Sequence, residues 1–398
     1  MKNNNLDTVW IVGNRSDAVE IAKSNSLRVI LLHDKKIKNH KADTLEQVSF
    51  TWYKQEWECF VEDLLKKETN PIAILAPTEK SVLPAAWISD TLNLNHHIST
   101  QTALSCTHKP TMKRAVKNAS IPCAEFLENE EGNNKISKQE LLDKLGLPIA
   151  FKTCTGSGSR GAFIVKTEEE IPKFLRKGYM AESFVEGVEC SVEAVVQNGK
   201  VLFQNITEYT EPKFANLVPA SFSSKIQYKI FEFNEKIIAA LGAKNGITHT
   251  EVFIQNLDTE NNNTKEINLV FGEMALRPPG GYIMELLKLS YQKDFWQIWL
   301  DCFLGNKINM SEIKTHFYSG LRMFHPSAGT LKSIKGKEFI KSIKELQEFT
   351  LSVKEGSEIK KREGTGQSVG HIVIKGTNQQ KIKSLLEEVK LKVTFEMK

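Results

Sequence analysis

Three short apolar runs, TVWIV (8–12), LRVILLH (27–33) and PIAILAP (71–77), are interleaved with segments of a different period. SDAVEIAKSN (16–25), WECFVEDLLKKE (57–68) and EKSVLPAAWISDTL (79–92) space their apolar residues as one helix face does. Strands that alternate with helices pair in parallel through crossover connections, so this region predicts an open α/β sheet. Ligands of such sheets sit beyond the carboxyl ends of the strands, which makes GNRSD (13–17) a candidate ligand lip. With one glycine it is a poor dinucleotide signature, and a plain strand-to-helix turn is the better reading.

At 398 residues the chain exceeds one ordinary core, so two or three domains are expected. The apolar runs stop far short of the roughly 18 residues of a membrane span, so no membrane partner is expected. MKNNNLDTVWIVG at the amino terminus lacks the apolar stretch of a secretory signal, and the 6 cysteines are scattered singly. Reduced thiols, no zinc site and a cytoplasmic location follow as expectations. A net charge of +5 is mild, and lysines alternate with glutamates in KSIKGKEFIKSIKELQEF (332–349). That pattern is a solvated helix face, so nucleic acid is not an expected partner.

Beyond residue 105 the texture changes. THKPTMKRAVKNASIP (107–122) reads as a helix that stops before Pro122, 128–139 as polar loop, and ELLDKLG (140–146) as helix. A helix is expected over EEEIPKFLRKG (168–178), with Pro172 in its first turn, then a strand at YMAESF (179–184). ECSVEAVVQ and KVLFQNITEY flank Asn198-Gly199, a two-residue hairpin signal. A helix near 229–242 precedes strands GITHTEVFIQ (246–255) and EINLVFGEMALR (266–277), and 282–304 reads as one helix. Residues 306–398 form a smaller α+β unit, with strands LRMFH, FTLSV and GHIVIKG among lysine-rich helices.

FKTCTGSGSRGAFIVK (151–166) spaces Gly156, Gly158 and Gly161 as G-x-G-x-x-G. A dinucleotide turn must run from strand into helix, but here strand-like AFIVK follows. The kinase motifs H-R-D and D-F-G and the G-x-x-x-x-G-K-[ST] loop are missing too. The loop therefore joins two antiparallel strands. Lys152 on the incoming strand, with the backbone N–H groups beyond it, suits a polyphosphate cradle, and Thr155, Ser157 and Ser159 add donors. A flexible hairpin tip is the competing reading. Cys154 beside the loop reads as a small structural residue, not a nucleophile.

If the hairpin of the last two central strands is centred near Asn262, Glu251 and Glu273 oppose one another. Like charges so paired destabilise a sheet. A Mg²⁺ ion, which takes one or two carboxylates plus substrate phosphates, would compensate. The alternatives are a slipped register, or neutralisation by Arg277 on the same face.

With Lys109, Lys152, the glycine loop, the strand AESFVEGVE (181–189) and the Glu251/Glu273/Arg277 face in this order, the chain resembles the ATP-grasp superfamily of carboxylate–amine ligases over roughly residues 1–305. The resemblance implies an N-terminal open parallel α/β domain (1–105), a central ATP-grasp domain (106–305) with a lid subdomain at about 120–190, and a small C-terminal α+β domain (306–398). It implies that Lys109 and Lys152 contact ATP phosphates and that Ser157 and Gly158 belong to the loop closing over them. Glu182, with the backbone of Ser183, Phe184 and Val185, would meet adenine, and Glu189 the ribose. Glu251 and Glu273 match the Mg²⁺ ligands (Mn²⁺ being the alternative metal), and Arg277 the arginine that stabilises the transferred phosphoryl group. Gly280 and Gly281 resemble the turn lining the carboxylate substrate. The family pattern often places a metal-binding Asn where this chain has Ala275, which leaves the number of metal ions open.

The HTE triplet (249–251), that tolerance at 275 and the C-terminal extension look like the bacterial L-amino-acid ligases, which join two amino acids into a dipeptide. His249 has two readings, a substrate-contacting residue or a satisfied sheet histidine beside Ala275. EPKFANLVP (211–219) is either a substrate-covering loop or a connector. The resemblance implies small-molecule substrates, and members are often homodimers. The competing readings are a nucleotide-biosynthesis ligase of the same superfamily and a nucleotide-binding regulatory protein without turnover. A carboxylase or thiol ligase would need a biotin or coenzyme A partner, and no swinging-arm lysine motif is present.

Overall fold

The computed structural model describes residues 6–35, 37, 40–130, 132, 135–257, 267–311 and 313–398. The expected turn centre at Asn262 and the Asn-rich loop at 261–263 lie outside them.

The amino-terminal sheet is parallel, in the order Thr44–Gln47, Arg28–His33, Thr8–Val12, Ala73–Leu75. All five residues of Thr8–Val12 are buried, as a strand covered by helices on both faces requires. Thr44–Gln47 escaped the sequence reading because TLEQ is a half-exposed edge with one apolar residue. The central pairing, Ile11 beside Leu75, brings the two following turns together. Gly13 (φ +94°) lies so close to the second turn that a Cβ would sit 2.7 Å from Thr78 Oγ1. That contact fixes where the residues just past it, Arg15 and Glu79, point.

Helices Thr100–Thr107 and Lys109–Asn118 lead to a four-stranded antiparallel sheet ordered Phe126–Asn129, Tyr179–Ser183, Ile149–Thr153, Phe163–Val165. The glycine loop joins Ile149–Thr153 to Phe163–Val165, an antiparallel pair, as the sequence predicts. The expected helix at 168–178 does not form; only a 3-10 turn, Glu168–Glu170, is present. Ile171 is extended (φ −68°, ψ 127°), because the ring of Pro172 disfavours helical backbone in the residue before it. The buried side chains of Ile171 and Leu175 join this sheet's own core instead.

Among the described residues the central sheet has eight strands, beginning Asn268–Leu276, Gly246–Gln255, Val188–Gln197, Lys200–Glu211, Ala215–Val218. The turn at Asn198 (φ 51°) and Gly199 (φ 75°) takes positive φ at both positions, as a tight hairpin demands. Tyr318–Phe324, Gly370–Gly376 and Leu346–Leu351 then extend the same sheet, so the C-terminal segment is hydrogen-bonded into the central one. It keeps an apolar core of its own around Ile372, Ile374, Ile382 and Leu386. The single helix expected at 282–304 is two, Ile283–Tyr291 and Phe295–Leu304. Gln292 in the left-handed region (φ 55°) ends the first, and the Asp294 carboxylate caps the second through Trp296 N and Gln297 N. No helix among the described residues is long and apolar enough to cross a membrane.

Candidate active site

A cleft of about 440 Å³ opens where the three sheets meet. Lys109 starts its helix there because His108 caps it, accepting from Thr111 N, and because Lys109 N donates to Cys154 O at 2.9 Å. Its ammonium then donates to Gly156 O at 2.6 Å and lies 3.7 Å from Glu273. Lys152 enters from the strand before the glycine loop and pairs with Glu182 at 3.0 Å. Burial opposes the Lys152 charge, but Glu182 and Glu273 outweigh it and raise its pKa. Burial also pushes the Cys154 thiol up to about 11, with Glu130 adding to it, which suits a structural role.

Glu251 and Glu273 do share the cleft, on neighbouring strands, but a β-bulge interrupts the register between them. Thr250 pairs with Met274 and Val252 with Phe271, so Glu251 faces both Gly272 and Glu273. Burial, then the charges of Glu273 and Glu189, raise the Glu251 pKa well above the carboxylate range. Burial would do the same to Glu273, but Lys109 and Lys152 hold it low. Two carboxylates so crowded suit a divalent cation that also takes phosphate oxygens. Among the described residues no group of three or more metal-ligating side chains exists, and Ala275 is buried opposite His249.

Arg277 follows the same strand into the cleft and donates from Nε to Glu79 at 3.0 Å. Burial keeps the Glu79 carboxyl above the usual range in spite of Arg277. Arg15 lies beside them, donating to Pro278 O and Pro279 O at 2.9 Å each, with its guanidinium 4.4 Å over the Trp296 ring. It thereby fixes the turn that carries Gly280 and Gly281, both of which line the cleft. His249 lines the cleft, and its Nδ1 contacts Glu193 at 2.9 Å. Glu193 also accepts from Ser191 (2.7 Å), Thr207 (2.6 Å) and Asn205 (2.9 Å).

Ser157, Gly158 and Glu189 line the cleft with these groups. Ser183, Phe184 and Val185 do not, and Glu182 sits behind Lys152. The N–H groups of Ser183 and Phe184 are already bound to Glu125 O and Pro148 O. Sequence reading missed several residues here. Lys113, 2% exposed, reaches Glu182 at 3.5 Å and the Phe271 ring at 5.4 Å. A lysine on the apolar side of an amphipathic helix was the available signal. Glu79 gave no signal, and Arg15 gave only its place in the GNRSD lip.

Residues 163–270 match the model of the ATP-grasp domain, and residues 322–398 that of L-amino acid ligase C-terminal domain 2. The chain carries an ATP-grasp domain. The chain is 23% identical over 339 residues to the L-arginine-specific L-amino acid ligase of Bacillus subtilis, across 80% of this chain and 78% of that one. Its fold is that of the L-amino acid ligase from Bacillus licheniformis, with TM-score 0.78, 17% identity and full coverage of both chains. It is also similar to the carboxyaminoimidazole ribonucleotide synthase of Aspergillus clavatus, solved with ATP, at TM-score 0.72 and 19% identity over 97% of this chain and 98% of that one. The α/β and α+β architecture of the chain is the ATP-grasp architecture that the order of its motifs implies.

Proposed function

We propose that this ligase uses ATP to activate the carboxylate of one L-amino acid and joins it to the amine of another, releasing a dipeptide, ADP and phosphate. The observation that carries the reading is the convergence of Lys109, Lys152, Glu251, Glu273 and Arg277 on one cleft, in a chain with the L-amino acid ligase C-terminal domain. A carboxylate acylates poorly because oxide is a poor leaving group; phosphorylation supplies phosphate as the leaving group instead. Lys109 and Lys152 hold the phosphates, and Arg277, oriented by Glu79, meets the charge that spreads over the transferred group. Mg²⁺ held by Glu251 and Glu273 would add charge neutralisation at the phosphate oxygens. Glu189 takes the ribose, and the glycine loop excludes water that would hydrolyse the acyl phosphate. His249 and the Gly280–Gly281 turn face the amino acids.

The likeness to a carboxyaminoimidazole ribonucleotide synthase supports a second reading, a carboxylate–amine ligase of nucleotide biosynthesis. Phosphate release from ATP and Mg²⁺, scanned over pairs of the twenty amino acids with Glu273→Ala as control, separates the two. Release that requires particular pairs and yields their dipeptide by mass supports the first. Nucleotide binding without pair-dependent release rejects it.

A further inference from the structure

Three distant segments roof the cleft: the glycine loop at 156–162, the turn at Lys213–Phe214, and residues 362–367 from the C-terminal region. Thr365 N donates to Gly158 O at 3.1 Å, and Thr365 and Gly366 line the cleft beside Ser157 and Gly158. Gly364 passes so close that a Cβ there would lie 3.0 Å from Gly158 O and 3.1 Å from Arg160 Cγ. Arg362 holds this segment in place. Its Nη2 donates to Thr365 O at 2.7 Å and to Lys213 O at 2.8 Å, with the guanidinium 4.3 Å over the Phe214 ring. Glu363 N closes the loop by donating to the Gln367 side chain at 2.6 Å. Ile359 and Val369, on either side, enter the C-terminal apolar core, while 362–367 adds nothing to it. Core packing therefore does not account for the path of this segment; its contacts with the glycine loop do.

We infer that residues 362–367 hold the glycine loop over the cleft, with Arg362 as the positioning residue and Gly364 and Thr365 as the contact. The C-terminal region is then part of the cover over the phosphates, a role that rests on the nucleotide reading of the cleft. Arg362 serves two backbone carbonyls from Nη2 while its guanidinium plane lies over the Phe214 ring, a stacking that lysine does not reproduce.

The test is trypsin cleavage after the exposed Arg160, followed by mass, with and without a non-hydrolysable ATP analogue and Mg²⁺. Arg362→Ala removes the staple. Gly364→Val, made independently, pushes the loop away from the other side and keeps the test valid if the first variant folds poorly. Both are expected to be cut at Arg160 about tenfold faster than wild type without nucleotide, the scale of losing a hydrogen bond from a charged donor. Cleavage at sites other than 160 and 362 and the melting temperature should stay unchanged, and Arg362→Lys should fall between. Wild-type cleavage rates in both variants overturn the inference, even where nucleotide protects all three proteins. Faster cleavage in the variants, with no protection by nucleotide in any of them, supports the contact and rejects the nucleotide reading instead.

Discussion

Gly272 approaches Glu251 so closely that a Cβ on it would lie 2.9 Å from the Glu251 carbonyl oxygen and 3.1 Å from its Cβ. The bulge thus spaces the two carboxylates by spending a residue that has no side chain. Gly272→Ala is expected to lower stability by about 1–3 kcal/mol through overpacking. It should also raise the Mg²⁺ concentration needed for half-maximal phosphate release. Metal titrations alongside thermal melts check this; an unchanged Mg²⁺ requirement would show that the bulge does not set the carboxylate spacing.

Arg15→Ala should act on one substrate only. Its two hydrogen bonds hold the Pro278–Pro279 turn, so the KM for the activated amino acid is expected to rise about tenfold, the weight of a charge-assisted hydrogen bond. The KM for ATP should not move. Steady-state kinetics with each substrate varied in turn decide, and equal shifts in both constants would contradict the assignment.

Glu193 gives a pH dependence. Burial disfavours its charge, but hydrogen bonds from His249, Thr207 and Ser191 hold its carboxyl below the usual carboxylate range. A depressed acid contributes stability above the unfolded value of about 4.3 and loses it as pH falls through the lower folded value. Wild type should therefore melt higher than Glu193→Gln at pH 7, and the two curves should converge on acidification below about pH 4. Melting temperatures across that range test it; a constant gap would place the effect in packing.

Lys113 and Lys152 share Glu182, which is 4% exposed. Lys152 still compensates Glu182 when Lys113 is removed, so Lys113→Met should cost about 1–3 kcal/mol, the scale of a buried polar group left short of a partner. Adding Glu182→Leu should cost less than the two single losses together. A denaturant series on the single and double variants measures the difference, and additive losses would reject the coupling.

Glu251, Glu273 and Arg277 lie on or beside two paired strands whose alternation was readable, so their common face followed from register. Lys152 stands on a different sheet, and only the order of the motifs linked it to them. The bulge was not readable, because it moves pairing by one residue without disturbing the apolar pattern. Glu79, Arg15 and Thr365 come from turns that only tertiary packing brings to the cleft. The failed helix at 168–178 shows a local conflict: helical composition argued for it, while Pro172 fixed Ile171 in extended backbone. Gln292 likewise broke an apolar run that carried no glycine or proline to mark the break.

The continuity of the central sheet past residue 306 bears on how such a chain can be cut or recombined. All four residues of Ala215–Val218 are buried, and on one side their partner is Tyr318–Phe324, with Leu217 beside Gly320. Ending the chain before that strand would bare an apolar edge, a template for intermolecular pairing. A fragment of this kind is an aggregation seed. Chimaeras that exchange C-terminal segments between relatives must be spliced in register at Leu217 and Gly320, where a Cβ on Gly320 would already lie 2.9 Å from Leu386.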